Sequence, residues 1–539
     1  MIKYICAISI VLLSFTGNAQ NWSEIAKIAA PDRSIDDIFG HSVAISGGFA
    51  IVGASKEDED ENGINTIWNA GSAYILELDS VGSWTQIQKL VASDRAESDW
   101  FGGDVSIDGN LAIVSARLGD TDEFGNNYFN DAGAVYIYER DSTGYWSQTQ
   151  KLVSSDREAN DYFGKSVAIK GNYAIVGAYW EDENTANLDS LYQAGSVYVF
   201  YRDSTGTWNE SQKLVSSDRE ANDSFGMSVD IDGDYIIVGS VMEDEDAFGS
   251  NTMSGSGSAY IFKVDGNGIW SETQKIVALD RDVGDAFGVT VSISENHVVV
   301  GAYLEDHDEF GANIEDNAGS AYVFELNGSG VWNQVQKIVS SDRSPLDYFG
   351  FSVAIDQRTI IVGASSEDED SIGNNTLNNA GSAYIFEQNG VGSWHEADKI
   401  VSSDREVGDA FAYSVDVDGT YAISSAHAED EDELGANTMN SSGSVYIFQR
   451  YVSTAIVENL INQEYLVYPN PINGSFSVDL GENNNNARIT LTDLSGKVIW
   501  SRFYYERPFI TFMLQEPAGV YLLTIESNNK NTVIRLIKE

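Results

Sequence analysis

Short segments of alternating apolar and polar residues fill most of the chain, and turn-forming residues separate them. Val, Ile and Tyr alternate with small residues in these segments, which is typical of pleated, partly buried strands. Two-residue turns such as Asp108-Gly109 join neighbouring segments and predict hairpins. One group of segments predicts four consecutive antiparallel strands, at residues 163–169, 173–178, 195–200 and 208–215.

This four-strand group repeats seven times with a constant spacing of 62 residues. Each unit starts with Phe-Gly, has a Gly-Ser/Ala-Ala/Val-Tyr segment at its third strand and carries a tryptophan at its fourth. Seven such units in register predict an all-β fold, a seven-bladed β-propeller. The phenylalanines that mark the units, the last followed by alanine, are Phe39, Phe101, Phe163, Phe225, Phe287, Phe349 and Phe411.

The two ends of the repeat predict how the ring closes. A tryptophan strand at Trp22 to Ile28 precedes the first Phe-Gly pair, whereas the last unit has no tryptophan near position 456. The N-terminal strand is therefore expected to complete the last blade. Closure in this way would leave few open sheet edges.

The order of these motifs resembles the FG-GAP repeat of the integrin α-subunit propeller, and the match is closer to its bacterial relatives. Phe163-Gly164, Val176-Gly177-Ala178 and the segment after Gly195 carry the resemblance in one unit, and it covers roughly residues 21–450. The resemblance implies an integrin α-like propeller. The integrin calcium loop has no counterpart at its usual place, where short turns such as Asp230 to Asp234 stand, so its calcium sites do not transfer to that position.

The charge and the N-terminus narrow the possible partners and the compartment. With 83 acidic and 31 basic residues, the formal net charge of −52 repels nucleic acid and anionic membranes. It favours cations, or simply keeps the protein soluble. Residues 1–20 have a basic start, a short apolar run and small residues at the end, which predicts a signal peptide. No later stretch predicts a membrane span, and the only cysteine, Cys6, lies in the signal peptide.

Acidic residues cluster in the loops between the second and third strands. Oxygen donors at alternate positions, followed by glycine, are what calcium requires. The fifth position of these loops is mostly apolar, as at Phe124, so a site would need carbonyls, waters or a neighbouring loop. A solvated acidic face, paired with arginines such as Arg157, is the alternative to calcium. The candidate metal ligands are Asp58, Asp60, Asn62, Asp120, Asp122, Asp182, Asp244, Asp246, Asp306, Asp308, Asp368, Asp370, Asp430 and Asp432.

The positions directly after the second strands vary from unit to unit. In an antiparallel blade these residues enter the long loops, which lie on one face of the propeller together with the links between blades. They are candidates for ligand contact around the rim, against the alternative that they are merely unconstrained. The candidates are Arg117, Tyr179, Trp180, Tyr303 and His427. No catalytic residue is indicated, because the histidines lack metal-ligand spacing and no nucleophile motif is present.

The repeat ends after Arg450, and residues 451–465 are expected to form a linker. Residues 466–539 contain Tyr468-Pro-Asn-Pro471, Ile489 to Val498 and Gly519 to Ile525, alternating strands with Asn- and Gly-rich turns. This pattern predicts a small β-sandwich. Its motifs resemble the C-terminal sorting domain (type A) of the bacterial type IX secretion system; an ordinary accessory β-domain is the alternative. The resemblance implies passage across the outer membrane, followed by release or surface attachment.

Three functions follow from these observations. The first is a secreted or cell-surface, non-enzymatic binding or adhesion protein that holds an extracellular protein or glycan on its long-loop face, with calcium as a possible aid. The second is a propeller enzyme that acts on glycans at a rim site the sequence does not locate. The third is a structural role in a surface layer. The unchanged length of all units favours binding over catalysis, because an active site would be expected to distort one blade.

Overall fold

The computed structural model describes residues 22–186, 190–450, 466–468, 475–480, 486–493, 497–505, 509–514, 517, 519–527 and 530–538. The predicted signal peptide and linker lie outside these residues. The chain divides into two compact units, Met1–Tyr451 and Val452–Glu539. Across the described ranges every regular element is a β-strand, and none of them contains a helix long and apolar enough to cross a membrane.

The first unit consists of seven antiparallel four-stranded sheets, in which strands pair in chain order. This confirms the predicted all-β propeller. Blades 1 to 3 comprise β2 (Phe39–Ser46), β3 (Phe49–Ala54), β4 (Ser72–Leu78), β5 (Trp84–Leu90), β6 (Phe101–Asp108), β7 (Leu111–Ala116), β8 (Ala134–Arg140), β9 (Trp146–Leu152), β10 (Ser166–Lys170), β11 (Tyr173–Ala178), β12 (Ser196–Arg202) and β13 (Trp208–Leu214).

Blades 4 to 6 repeat the same arrangement. They comprise β14 (Phe225–Asp232), β15 (Tyr235–Ser240), β16 (Ser258–Val264), β17 (Trp270–Ile276), β18 (Val291–Ser294), β19 (His297–Ala302), β20 (Ser320–Leu326), β21 (Trp332–Ile338), β22 (Ser352–Asp356), β23 (Thr359–Ala364), β24 (Ser382–Gln388) and β25 (Trp394–Ile400).

Blade 7 is built from both ends of the repeat, as predicted. Its strands are β26 (Phe411–Asp418), β27 (Tyr421–Ala426), β28 (Ser444–Arg450) and β1 (Trp22–Ile28). Strand β1 pairs antiparallel with β28, where Ile28 lies opposite Val445. The first strands of the blades contact each other in a closed cycle from β2 through β26 and back to β2. These seven strands therefore surround the propeller axis.

One glycine at each blade junction makes the close packing possible. Gly71 has a φ of +84°, and a Cβ atom there would lie 2.0 Å from the carbonyl oxygen of Phe101 in the next blade. A larger residue would push the blades apart. The junction between blades 7 and 1 is identical, because Gly443 has the same relation to Phe39. The glycine of the Gly-Ser-Ala-Tyr segment is thus a requirement of ring closure.

The inner edge of each blade is capped by its neighbour. The N–H of Val167 donates to a carboxylate oxygen of Asp104 at 2.7 Å, and the N–H of Ile45 donates to Asp416 at the same distance. An exposed strand edge would otherwise present unpaired N–H groups. Ser and Asp side chains on the first strands thus close the edges around the axis.

The second unit forms two sheets that share one core, which confirms the predicted β-sandwich. Phe476, Leu491, Phe512 and Leu523 belong to this core, and the rings of Phe476 and Phe512 stack with centroids 5.1 Å apart. The sheets are built from β29 (Leu466–Tyr468), β30 (Ser475–Asp479) and β33 (Phe509–Met513), and from β31 (Asn486–Asp493), β32 (Val498–Tyr505), β34 (Gly519–Ser527) and β35 (Lys530–Lys538).

Candidate functional site

Both long connections of each blade lie against each other on one face of the propeller, which we call the long-loop face. The link into blade 2 contacts the loop between β3 and β4, because the N–H of Ser98 donates to the carbonyl of Trp68 at 2.9 Å. Two sets of side chains populate this face. One repeats from blade to blade, and the other does not.

The repeated set, which we call the polar belt, joins each acidic loop to its blade. In blade 3, Lys213 Nζ lies 2.7 Å from Asp156 and 3.3 Å from Glu181. The hydroxyl of Tyr198 donates to Asp156 at 2.7 Å or to Glu181 at 2.9 Å. Glu181 is fully buried. A buried carboxylate needs such partners to remain charged.

The belt is complete in six blades and changed in one. Gly119 stands in blade 2 where the others have the buried glutamate, and Lys151 instead bonds Asp94 at 2.7 Å and the Thr121 hydroxyl at 2.9 Å. The belt lysines of the complete blades are Lys27, Lys89, Lys213, Lys275, Lys337 and Lys399, and their glutamates are Glu429, Glu57, Glu181, Glu243, Glu305 and Glu367.

A further buried aspartate precedes each Phe-Gly pair and carries a raised pKa. In blade 3, burial and then the negative charge of Glu181 raise the pKa of Asp161 to about 8. Burial raises the pKa of Asp347 in blade 6 to about 8 as well. These carboxyls also accept the N–H three residues earlier, as Asp161 does from Glu158 at 2.6 Å. The belt therefore holds more acidic groups than its lysine can neutralise.

The predicted metal ligands at the loop tips act as hydrogen-bond acceptors for their own loops. Asp246 accepts the N–H of Phe248 at 2.9 Å and that of Ser250 at 3.1 Å, and it also contacts the Asn251 amide. These bonds lower the pKa of Asp246 to about 2, with the Phe248 N–H as the largest cause. The equivalent tip aspartates with the same contacts are Asp60, Asp122, Asp308, Asp370 and Asp432.

The other predicted metal ligands brace the returning end of each loop. Asp244 accepts the N–H of Gly255 at 2.7 Å through one carboxylate oxygen. Asn62 lies at the exposed tip of the first loop, and its N–H donates to Asp60 at 2.9 Å. The aspartates with the same bracing role are Asp58, Asp120, Asp182, Asp306, Asp368 and Asp430.

Within the described ranges, three carboxylates converge closely enough to hold a metal ion: Asp404, Glu429 and Glu431, whose ligand atoms lie within 4.8 Å of one another. They belong to the polar belt of blade 7. Lys27 Nζ lies 2.6 Å from Asp404 there, so the belt supplies its own cation. Calcium at the acidic loops stays a prediction.

The repeated arginines bind backbone carbonyls rather than the carboxylates considered in the sequence. Arg95 donates to the carbonyl oxygen of Asp58 at 2.8 Å and to that of Asn65 at 3.1 Å. Arg157 reaches the carbonyl of Asn127 at 3.1 Å. A guanidinium fork suits two carbonyls that converge, and it fixes the loop of the preceding blade.

The set that does not repeat surrounds the axis, and we call it the axial cluster. Its first arc lies in blades 2 and 3. Arg117 stacks on Trp100 at 5.0 Å from the ring centroid, and Tyr162 contacts both Tyr179 at 5.8 Å and Trp180 at 4.7 Å. All five side chains are partly exposed.

The second arc runs through blades 5, 6, 7 and 1. Tyr303 contacts Phe351 at 5.7 Å, and Phe351 contacts Tyr413 at 5.2 Å. Tyr413 in turn lies 4.0 Å from His427 and stacks on His41 at 5.9 Å. Neighbouring blades thus present a continuous row of ring faces.

The two arcs face each other across the axis. Burial lowers the pKa of His41 to about 3, and the positive charges of Arg117 and Lys165 lower it further. The charge of Arg117 in blade 2 also opposes the effect of burial on the pKa of Tyr413 in blade 7. Arg117 and Tyr413 therefore lie near enough for the charge of Arg117 to act on Tyr413, although blades 2 and 7 are not adjacent.

The five rim residues predicted from the sequence all belong to the axial cluster. The sequence interpretation missed the residues of the first strands and of the blade links, which complete it. Lys56 also belongs to the cluster, at one of the variable positions after the second strands, and the missed residues are His41, Trp100, Tyr162, Lys165, Phe351 and Tyr413. A signal for four of them was present, because the position two residues after each Phe-Gly phenylalanine also varies: His41, Gly103, Lys165, Met227, Val289, Phe351 and Tyr413.

Grooves at the outer rim are a second surface feature, and they repeat. Each lies between the acidic loop of one blade and the tryptophan strand of the next, as between Asp308 and Trp394. Their volumes range from about 620 to about 950 Å³. Because these grooves recur from blade to blade, they belong with the repeated features of the propeller, as the polar belt does.

The comparisons with known proteins agree with this architecture. The FG-GAP repeat family matches seven segments, and the secretion system C-terminal sorting domain matches residues 466–539. The FG-GAP segments are residues 22–76, 84–138, 146–200, 208–262, 270–324, 332–386 and 394–448. No curated protein matches the chain. The sorting domain indicates type IX secretion, and with it an extracellular or cell-surface location. Since the repeats cover more than half of the sequence, the chain belongs to the FG-GAP repeat family and carries a type IX secretion sorting domain.

Proposed function

We propose that this protein is a secreted or surface-attached, non-enzymatic binding protein whose ligand contacts the axial cluster on the long-loop face. The ligand is an extracellular protein or glycan. The observation that carries the proposal is the contrast between repeated and variable positions on this face. The blades keep their length and their junction glycines, and all but blade 2 keep the complete belt, while the residues at the axis vary from blade to blade.

The mixture of side chains at the axis suits recognition. Ligand sites combine aromatic faces with a few polar or charged groups that fix orientation. Arg117 and Lys165 provide charge, and the row from Tyr303 to Tyr413 provides ring faces. A scaffold that needed these residues only for packing would repeat them, as it repeats Tyr198 and its equivalents.

One contact in the cluster resembles a nucleophile with its base, but its burial supports binding over catalysis. Ser55 Oγ and His41 Nδ1 are 2.7 Å apart. The Ser55 side chain is 0% exposed, so its hydroxyl does not meet a substrate. The pair instead orients the His41 ring against Tyr413.

The test is an array of glycans and extracellular proteins probed with the purified protein and with matched variants. Arg117→Gln and Tyr413→Ala alter the axial cluster. Arg358→Gln alters an exposed arginine in the short turn between β22 and β23, at the opposite end of the blade. We expect the wild-type protein and Arg358→Gln to bind the same ligands and the two axial variants to lose them. Ligands that are retained by both axial variants would contradict the proposed site.

A further inference from the structure

Three cations of the axial cluster stand outside the short ion pairs of the propeller. Lys56, Arg117 and Lys165 form no ion pair with any residue in the described part of the chain. The belt lysines, by contrast, each lie within about 3 Å of a carboxylate, as Lys213 does at 2.7 Å from Asp156. In a protein of net charge −52, these three cations lie together, since the charge of each acts on His41. They form a small positive spot in a negative field.

The surroundings of Lys165 make it receptive to an anion. Burial lowers the pKa of Lys165 to about 8, and the charge of Arg117 lowers it further. The negative charge of Asp104, in the neighbouring blade 2, raises the pKa of Lys165. The Asp104 carboxylate, however, already accepts hydrogen bonds from the Ser42 hydroxyl and the Val167 N–H, both at 2.7 Å. The Lys165 ammonium and the Arg117 guanidinium therefore repel each other. A bound anion would relieve this repulsion.

The two histidines do not supply charge. Burial lowers the pKa of His427 to about 4, and the positive charge of Lys56 adds to this effect. His41 has a pKa of about 3 for similar reasons. At neutral pH both rings are uncharged, so they extend the aromatic row formed by Phe351 and Tyr413. The cluster thus offers a cationic side and an apolar ring-lined side.

We infer that the axial cluster binds a sugar that carries a single carboxylate, with Arg117 and Lys165 at the carboxylate and the ring faces at the sugar. A guanidinium binds a carboxylate with two parallel hydrogen bonds. The apolar C–H face of a pyranose packs on aromatic rings. A densely charged polymer is disfavoured because the surrounding negative field repels it. A single carboxylate at the end of a neutral glycan avoids that repulsion. The inference rests on the proposed function, because it names the ligand class of the same site.

Two sugars that differ only in the carboxylate provide the test. The probes are 4-nitrophenyl β-D-glucuronide and 4-nitrophenyl β-D-glucoside, titrated into the full protein by calorimetry. N-acetylglutamate amide serves as a third probe, with the same charge on a peptide unit. We expect a Kd on the order of 1 mM or tighter for the glucuronide, at least about tenfold below those of the other two probes.

Matched variants locate the binding. Lys165→Met and Arg117→Gln remove the unpaired cations, and each is expected to weaken glucuronide binding about tenfold or more. Lys170→Met is the control for Lys165, because Lys165 directly precedes β10 and Lys170 is exposed at the far end of that strand, 3.6 Å from Asp108. Arg358→Gln is the control for Arg117. Melting curves check that each variant is folded.

The outcomes separate this inference from the proposed function. Equal affinity for glucuronide and glucoside, or no glucuronide binding up to about 10 mM, overturns the acidic-sugar assignment. Tighter binding of the glutamate amide overturns it in favour of an acidic peptide. In each case the array with the axial variants still decides whether the axis is a binding site.

Discussion

The polar belt and the axial cluster occupy the same face of one propeller and follow opposite rules. The belt repeats Lys, Asp, Glu and Tyr in six blades, and each of its lysines is paired. The residues of the axial cluster vary from blade to blade, and Lys56, Arg117 and Lys165 form no short ion pair within the described ranges. Side chains that hold the blades together recur from unit to unit, because the blades make the same contacts. Side chains that contact a ligand at the axis vary between units, because each one meets a different part of the ligand.

The comparison also explains how an acidic protein can present a positive site. The belt lysines lie in short ion pairs, such as that between Lys275 and Asp218 at 2.8 Å, and the repeated arginines bind backbone carbonyls, as Arg95 does at Asp58. Among the described residues, the cations at the axis have neither kind of partner, so they add positive potential there. Four measurements test whether the belt stabilises the fold while the axial cluster binds the ligand.

The largest effect is expected from removal of a belt lysine. Lys213→Met leaves the fully buried Glu181 without its cation and should lower the free energy of unfolding by about 3 kcal/mol. Lys151→Met is the matched variant in blade 2, where Gly119 replaces the glutamate, and should lower it by only about 1 kcal/mol. Urea denaturation of the two variants measures the difference. Equal losses would show that the buried glutamate does not depend on the lysine.

The pH dependence of stability comes next in size. Asp161 has a folded pKa of about 8 against an ordinary value of 3.8, because of burial and then Glu181, with Glu183 and Asp156 adding to the shift. Between these values the folded state binds more protons than the unfolded state, so stability falls as the pH rises from about 4 to about 8. We expect a higher melting temperature at pH 5 than at pH 8.

Two variants test whether the belt causes this dependence of stability on pH. Asp161→Asn removes a titrating group of the belt and should flatten the dependence on pH. Asp265→Asn removes an exposed carboxylate that caps a short turn by accepting the N–H of Ile269 at 2.9 Å, and it should leave the slope unchanged. Identical slopes in both variants would trace the effect to net charge alone.

Calcium should have a smaller effect, confined to the loop tips. The belt contains its own lysine cation, whereas the loop tips, such as that at Asp246, have no lysine and present carboxylate and amide oxygens. We expect calcium to raise the melting temperature by a few degrees and EDTA to reverse the shift, as for any ligand of the folded state. Asp246→Asn should reduce the shift. No calcium heat in calorimetry and no response to EDTA would rule out the prediction.

The smallest effect on stability is expected at the axis. Lys165→Met removes a partly buried, unpaired charge, so the free energy of unfolding should change by less than about 1 kcal/mol or rise slightly. The same variant should lose the ligand. A large loss of stability would show that Lys165 holds the fold and that the two regions do not differ as described.

The fold followed from the sequence because the repeat fixes its own register. The spacing of the Phe-Gly pairs and the missing last tryptophan predicted seven sheets and the closing strand at Trp22 to Ile28. Strand ends were less predictable. The first strand of blade 3 begins at Ser166 rather than Phe163, because the N–H groups of Gly164 and Lys165 both donate to the Gly177 carbonyl and interrupt the pairing.

The site was only half predictable for a different reason. Arg117 and His427 follow the second strands, where variation between units drew attention to them. Lys165 and Tyr413 stand two residues after the phenylalanine that opens each unit, and the motif common to all units draws attention away from this variable position. Only ring closure brings these two sets of residues together, and sequence spacing does not give distances across the axis.

The most direct test of the division between belt and axis is a crystal structure of the protein with 4-nitrophenyl β-D-glucuronide. The account predicts density for the sugar at the axis, with its carboxylate within hydrogen-bond distance of Arg117 and Lys165 and its ring against Phe351 or Tyr413, and an unchanged belt in all blades. Sugar density in the repeated grooves at the outer rim, with none at the axis, would contradict it.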